Sequence, residues 1–133
     1  MTRVKICGIT NLKDGLAAAE AGADMLGFIF YPPSPRAIAP PEAGTITQAI
    51  RRTMGGGPRP CFVGVFVNAP PAEVRRTLAA AHLDMVQLHG SESPEVVAQF
   101  GLRALKAIRP QTLAEAEDAL AAYAPTFTQP PER

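Results

Sequence analysis

The chain has 133 residues, 47% of them hydrophobic, with 13 basic and 12 acidic side chains and a formal charge of +1. That is the size of one ordinary domain able to bury a core, and balanced charge without a basic run argues against binding nucleic acid or a membrane surface. A small neutral or anionic metabolite is the expected ligand. No apolar run approaches the roughly 18–20 residues of a spanning helix, and the N-terminus enters a strand without a signal-type apolar stretch, so a cytoplasmic protein is expected. Cys7 and Cys61 have neither CxxC nor His-paired spacing, which gives no redox motif and no zinc site; no metal or cofactor is expected. Cys61 reads as a small buried hydrophobe at a strand start.

The stretch Val4-Lys5-Ile6-Cys7-Gly8-Ile9-Thr10 predicts a first strand. Its period of two puts the Lys5 ammonium and the Cys7 thiol on one face and the aliphatics on the other. Gly8 allows a sharp exit, Thr10 or Asn11 can cap the next helix, and Gly22 supplies its stop after a face spaced as Leu12, Leu16, Ala19 and Glu20. If this strand is parallel to its neighbours, the thiol sits at the C-terminal rim, where open α/β sheets and barrels keep their chemistry.

Residues 23–30 are nearly unbroken apolar sequence, as expected of a parallel strand covered on both faces, with Asp24 at its entrance. Tyr31-Pro32-Pro33-Ser34-Pro35-Arg36 is then an irregular loop leaving the same rim as Cys7. A helix over 41–52 carries Ile46 and Ile50, and Gly55-Gly56-Gly57-Pro58 closes it. This glycine run follows a helix and precedes a strand, the reverse of a phosphate loop, so it reads as a linker. A third strand over 62–67 leads through Pro70-Pro71 into a helix with Val74, Leu78 and Ala81.

The fourth strand, 84–90, places Gln87 and His89 on one face, aimed at the same rim. Ser93-Pro94-Glu95 starts a helix that Gly101 ends; a fifth strand covers 104–110, and Thr112-Leu113-Ala114-Glu115 caps a helix reaching about Tyr123. Five strand–helix units over 1–125 argue for a parallel α/β sheet. The polar stretch 126–133, with two prolines, reads as a disordered tail.

Four blocks together closely resemble the phosphoribosylanthranilate isomerase family of tryptophan biosynthesis. They are Val4-Lys5-Ile6-Cys7-Gly8-Ile9-Thr10; Gly27-Phe28-Ile29-Phe30 followed by Ser34-Pro35-Arg36; Val63-Gly64-Val65-Phe66-Val67-Asn68; and Val86-Gln87-Leu88-His89-Gly90. The resemblance implies a TIM (β/α)8 barrel, of which this chain carries a truncated (β/α)5 portion with parallel strands in sequential order. A whole barrel typically needs roughly 200–250 residues. It further implies an Amadori rearrangement without metal or redox change, from N-(5-phosphoribosyl)anthranilate to 1-(2-carboxyphenylamino)-1-deoxyribulose 5-phosphate.

By the same resemblance Cys7 matches the general base and Arg36 the contact to the anthranilate carboxylate, a planar anion that suits a guanidinium. A free thiol is only a few per cent ionised at neutral pH, and Lys5 on the same face would favour the anion. Gln87 and His89 either line the pocket or have their polar groups satisfied at the strand end. Lys106 either faces the interior with Lys5 or forms a structural ion pair, and His82 reads as surface on the wrong side. The family's acid is an aspartate on a sixth strand, and its phosphate loops follow strands seven and eight, all expected to be missing here. Asp24 and Asp84 belong to the opposite rim, Asp14 and Asp118 to helices, and Glu92, the one acid on the right rim, has no family role. The expectations are a poorly active chain and open sheet edges that favour self-association. A non-catalytic fragment that complements a C-terminal piece is one alternative. The other is a doubly wound domain, which needs a reversal in strand order.

Overall fold

The computed structural model describes residues 1–127. Among them are five strands, β1 (Lys5–Cys7), β2 (Met25–Ile29), β3 (Cys61–Phe66), β4 (Met85–Leu88) and β5 (Ala104–Lys106). All neighbours are parallel and the sheet order is β1-β2-β3-β4-β5. Helices α1 (Leu12–Glu20), α2 (Pro40–Met54), α3 (Pro71–Ala80), α4 (Pro94–Ala98) and α5 (Leu113–Tyr123) follow the strands in turn. This is the arrangement of the first five units of a (β/α)8 barrel. Among the described residues the strand order never reverses, which removes the doubly wound alternative.

Pairing sorts the strand residues into two faces. Ile6, Leu26 and Phe62 share one row, and Phe28, Gly64, Val86 and Ala104 another; of these Leu26, Phe28, Phe62, Val86 and Ala104 join Ile46, Ile50, Val74, Leu78 and Val97 in the core. Phe28 and Phe62 meet edge to face at 6.2 Å. On the other face Cys7, Gly27, Val63 and Met85 share a row, and Ile29, Val65, Gln87 and Leu105 the next. The end units have one neighbour each, so Val4 just before β1, Ile6 within it, and Leu113 and Leu120 on α5 stay exposed.

Local differences from the sequence reading have physical causes. Of the two caps offered by the sequence Asn11 is the one used, its Oδ1 accepting the Asp14 N–H at 2.8 Å. Leu12 is exposed while Gly15 is buried, because at Gly15 the helix approaches Ile50 so closely that an added Cβ would stand 3.0 Å from its Cδ1. Helix α4 is a single turn, and Gly101, with φ of +54°, begins a 3-10 turn (Gly101–Arg103) instead of stopping the helix. Cys61 is partly exposed, not buried, since it opens β3 on the face without a covering layer. Thr126 and Phe127 belong to a 3-10 turn (Ala124–Phe127) whose Phe127 packs against the core; the rest of the expected tail lies outside the described residues. No described helix is long and apolar enough to cross a membrane.

Candidate active site

A cavity of about 510 Å³ opens on the unlined face, at the C-terminal ends of the strands. Lys5, Cys7, Arg36, Gln87 and His89 all border it, over an apolar floor of Ile29, Val65 and Val67. All five candidates are thus brought to one place, from β1, the proline-rich loop, and β4 with the turn after it.

Two glycines create the room. A Cβ at Gly27 would stand 2.7 Å from the Cys7 Sγ and 3.1 Å from the Lys5 Nζ, so thiol and ammonium lie over the same bare stretch of β2. Gly8, at φ +87°, turns the chain where a side chain would meet the Arg36 guanidinium, with Cζ only 2.7 Å away. The proline loop folds Arg36 back through a Ser34 N–H bond to the Tyr31 carbonyl (2.9 Å) and a bond from the Arg36 N–H to Ser34 Oγ (3.2 Å). Arg36 Nη1 then donates to the Cys7 carbonyl at 2.9 Å, which docks the guanidinium beside the thiol-bearing residue with other N–H groups unspent.

His89 lines the cavity and is also bonded locally, so both alternatives for the Gln87 and His89 pair are realised. Its Nε2 receives the Arg109 Nε–H at 3.0 Å, and its Nδ1 lies 3.4 Å from the Gln87 amide nitrogen. Burial, then the charges of Arg109, Lys106 and Lys5, outweigh Glu92 and hold the imidazole below its ordinary value, which favours its neutral form.

The acid on this rim is already engaged. Glu92 and Lys106 form a buried ion pair at 2.9 Å, with side chains 3% and 4% exposed. Glu92 also accepts the Asn68 and Gly90 N–H groups, both at 2.9 Å, while Lys106 donates to the Gly90 carbonyl at 2.6 Å. Burial opposes ionisation of Glu92, but the Asn68 N–H and Lys106 outweigh it and hold the carboxyl below the usual range. Lys106 shares a row with Phe66 and Leu88, so it turns away from Lys5 and into the ion pair. Among the described residues no His, Cys, Asp or Glu cluster could hold a metal.

At the opposite rim Asp24 accepts the Val4 N–H at 2.7 Å. Asp84 accepts the Phe62 N–H at 2.8 Å and pairs with Arg59 at 2.9 Å and Arg51 at 3.4 Å. Neither carboxylate reaches the cavity.

The family model described as N-(5'phosphoribosyl)anthranilate (PRA) isomerase matches residues 4–128. The chain belongs to the PRA isomerase family. It is 48% identical over 113 residues to the N-(5'-phosphoribosyl)anthranilate isomerase of Geobacter metallireducens, covering 85% of this chain and 53% of that protein. The crystal structure of the Thermotoga maritima phosphoribosyl anthranilate isomerase superposes with a TM-score of 0.82 at 41% identity, over 91% of this chain and 57% of that one. A PRA isomerase structure in complex with reduced 1-(o-carboxyphenylamino)-1-deoxyribulose 5-phosphate matches equally well, at 0.82 and 41%. The chain therefore spans about half the length of the curated relatives it matches.

Two features of the C-terminal rim were not legible in the sequence. Arg109 borders the cavity, although it read only as the end of a strand. Glu92 was noted as an acid, but its partners Asn68 and Lys106 are 24 and 14 residues away and no spacing rule connects them.

Proposed function

We propose that these residues carry the base and the arylcarboxylate-binding arm of an N-(5-phosphoribosyl)anthranilate isomerase acting in the cytoplasm. The observation that carries this reading is the convergence of Cys7, Lys5 and Arg36 over Gly27 and Gly8, in a family whose chemistry needs a base beside an anion-holding group. Arg36 holds the anthranilate carboxylate, which orients the opened, Schiff-base form of the sugar with C2 near Cys7. The Cys7 thiolate takes the C2 proton, and the electron pair left behind neutralises the iminium as the enol forms. Tautomerisation of that enol gives the ketone. Lys5 favours the thiolate by its charge, while Gln87 and His89 complete the wall. The ring-opening proton and the phosphate contacts come from the sixth to eighth units of the barrel, outside these 133 residues.

On this reading the 133 residues alone turn over poorly. The open edges of β1 and β5 and the exposed Val4, Ile6, Leu113 and Leu120 support a second role, association with another copy or with a complementary C-terminal piece. One experiment addresses both readings. The purified chain is assayed for isomerase turnover alone and after mixing with units six to eight of a relative. Turnover in the mixture and almost none in either part is expected. Ordinary rates from the chain alone would overturn the proposed division of labour, and a silent mixture that nonetheless forms a 1:1 complex would leave only the non-catalytic role.

A further inference from the structure

We propose that Arg109 is a positioning residue of this cavity, fixing His89 as the Nδ1–H tautomer and, through it, turning the Gln87 carboxamide so that its N–H groups face the ligand.

Donor and acceptor counting carries the argument. Arg109 Nε is 3.0 Å from His89 Nε2, and a guanidinium donates only, so Nε2 must be the unprotonated nitrogen. A neutral imidazole then carries its one proton on Nδ1. The Gln87 Nε2 position lies 3.4 Å from that Nδ1; since two donors cannot bond each other, and the two ends of a carboxamide are told apart by their partners, the amide must be turned over so that Oε1 accepts the Nδ1–H. The amide nitrogen is left as a donor on a side chain that borders the cavity beside Arg36 and Lys5.

The surroundings hold the relay in this state. The charged groups acting on His89 are Lys5 from β1, Lys106 from β5, Arg109 from the segment after it, and Glu92 from the loop after β4. Three of the four are cations, and Glu92 is already saturated by Lys106 and two backbone N–H groups. A protonated imidazole would point a second donor at Arg109 and break the chain. The Gln87 N–H groups that the relay turns toward the cavity thus join the Lys5 and Arg36 cations on its wall, and their complement is an oxyanion or a hydroxyl oxygen. That last consequence rests on the proposed function; the tautomer does not.

The test is ring 15N spectroscopy of the 133-residue chain without ligand, with His82 as the internal reference, since it lies on the other rim and contacts Gln48 instead. At pH 7.5 His89 is expected to show a protonated Nδ1 and an unprotonated Nε2. Arg109→Met should move His89 toward the Nε2–H form common for free imidazole and raise its titration midpoint. Arg109→Lys, which keeps the charge but loses the fixed Nε–H, should release the tautomer while raising the midpoint less. Arg109 is exposed, so both variants are expected to fold, and an unchanged His82 signal checks it. An Nε2–H tautomer or an imidazolium in the unaltered chain would overturn the proposal, as would a His89 signal indifferent to Arg109→Met. Because no turnover is measured, failure here leaves the isomerase reading standing, and failure of complementation leaves the tautomer result standing.

Discussion

The two rims of the sheet use their charged side chains in opposite ways. At the N-terminal rim each carboxylate is consumed in starting a strand. Asp24 takes the Val4 N–H, and Asp84 takes the Phe62 N–H while Arg51 and Arg59 bracket the Phe62 ring at 4.7 and 5.1 Å. At the C-terminal rim Lys5, Arg36 and Arg109 face a cavity, and none of them belongs to an ion pair among the described residues. Charges that are mutually satisfied report on stability, and charges that converge without neutralising one another report on a ligand. Glu92 with Lys106 is the exception that sharpens the contrast, a satisfied pair on the working rim that ties the loop after β3 to the loop after β4.

The contrast breaks most visibly if that pair is cut. Glu92→Gln leaves Lys106 charged and buried, and a loss of about 3–5 kcal/mol is expected in urea unfolding. Little change would mean that the loops are held elsewhere. Next, Arg36→Met should weaken binding of 2-aminobenzoate by roughly 1.5–3 kcal/mol while leaving the unfolding midpoint nearly unmoved, read by calorimetric titration of the complemented protein. Asp84→Asn should do the converse, costing about 1–3 kcal/mol of stability and nothing in ligand affinity.

Acid should weaken the satisfied carboxylates of both rims. Burial works against ionised Asp84, but its bonds to Arg59 and the Phe62 N–H and the charges of Arg59 and Arg51 win, so its folded value lies below the ordinary one. Glu92 is shifted the same way. Their stabilisation is complete above the unfolded carboxylate range near pH ~4 and is lost as pH falls through the lower folded values. Urea midpoints measured from pH 7 to 3 should therefore drop, and in Asp84→Asn the drop should be shallower. The smallest effect is expected at Asn11→Ala, where loss of the cap on the Asp14 N–H should cost about 1 kcal/mol.

What the sequence made legible follows the range over which a signal acts. The alternation of Lys5 and Cys7 with aliphatics is written in four neighbouring residues, and the unit-by-unit parallel fold in repeats of helix and strand spacing. The facing of Leu12 was misjudged because hydrophobic spacing alone does not register a close helix approach at Gly15. Arg109 was passed over because its partner His89 lies 20 residues away and the donor–acceptor logic exists only once the two meet. The role of Lys106 depended on which face β5 presented, which its row with Leu88 decides.

The central claim is that the Cys7 thiol is the base of the reaction. It is tested most directly by turnover of the chain complemented with units six to eight, unaltered and as Cys7→Ala, with Cys61→Ala alongside. A fall of about 10²–10⁴ in kcat is expected for Cys7→Ala at unchanged stoichiometry of the complex, and none for Cys61→Ala. A Cys7→Ala complex that turns over within a few-fold of the unaltered one would contradict it.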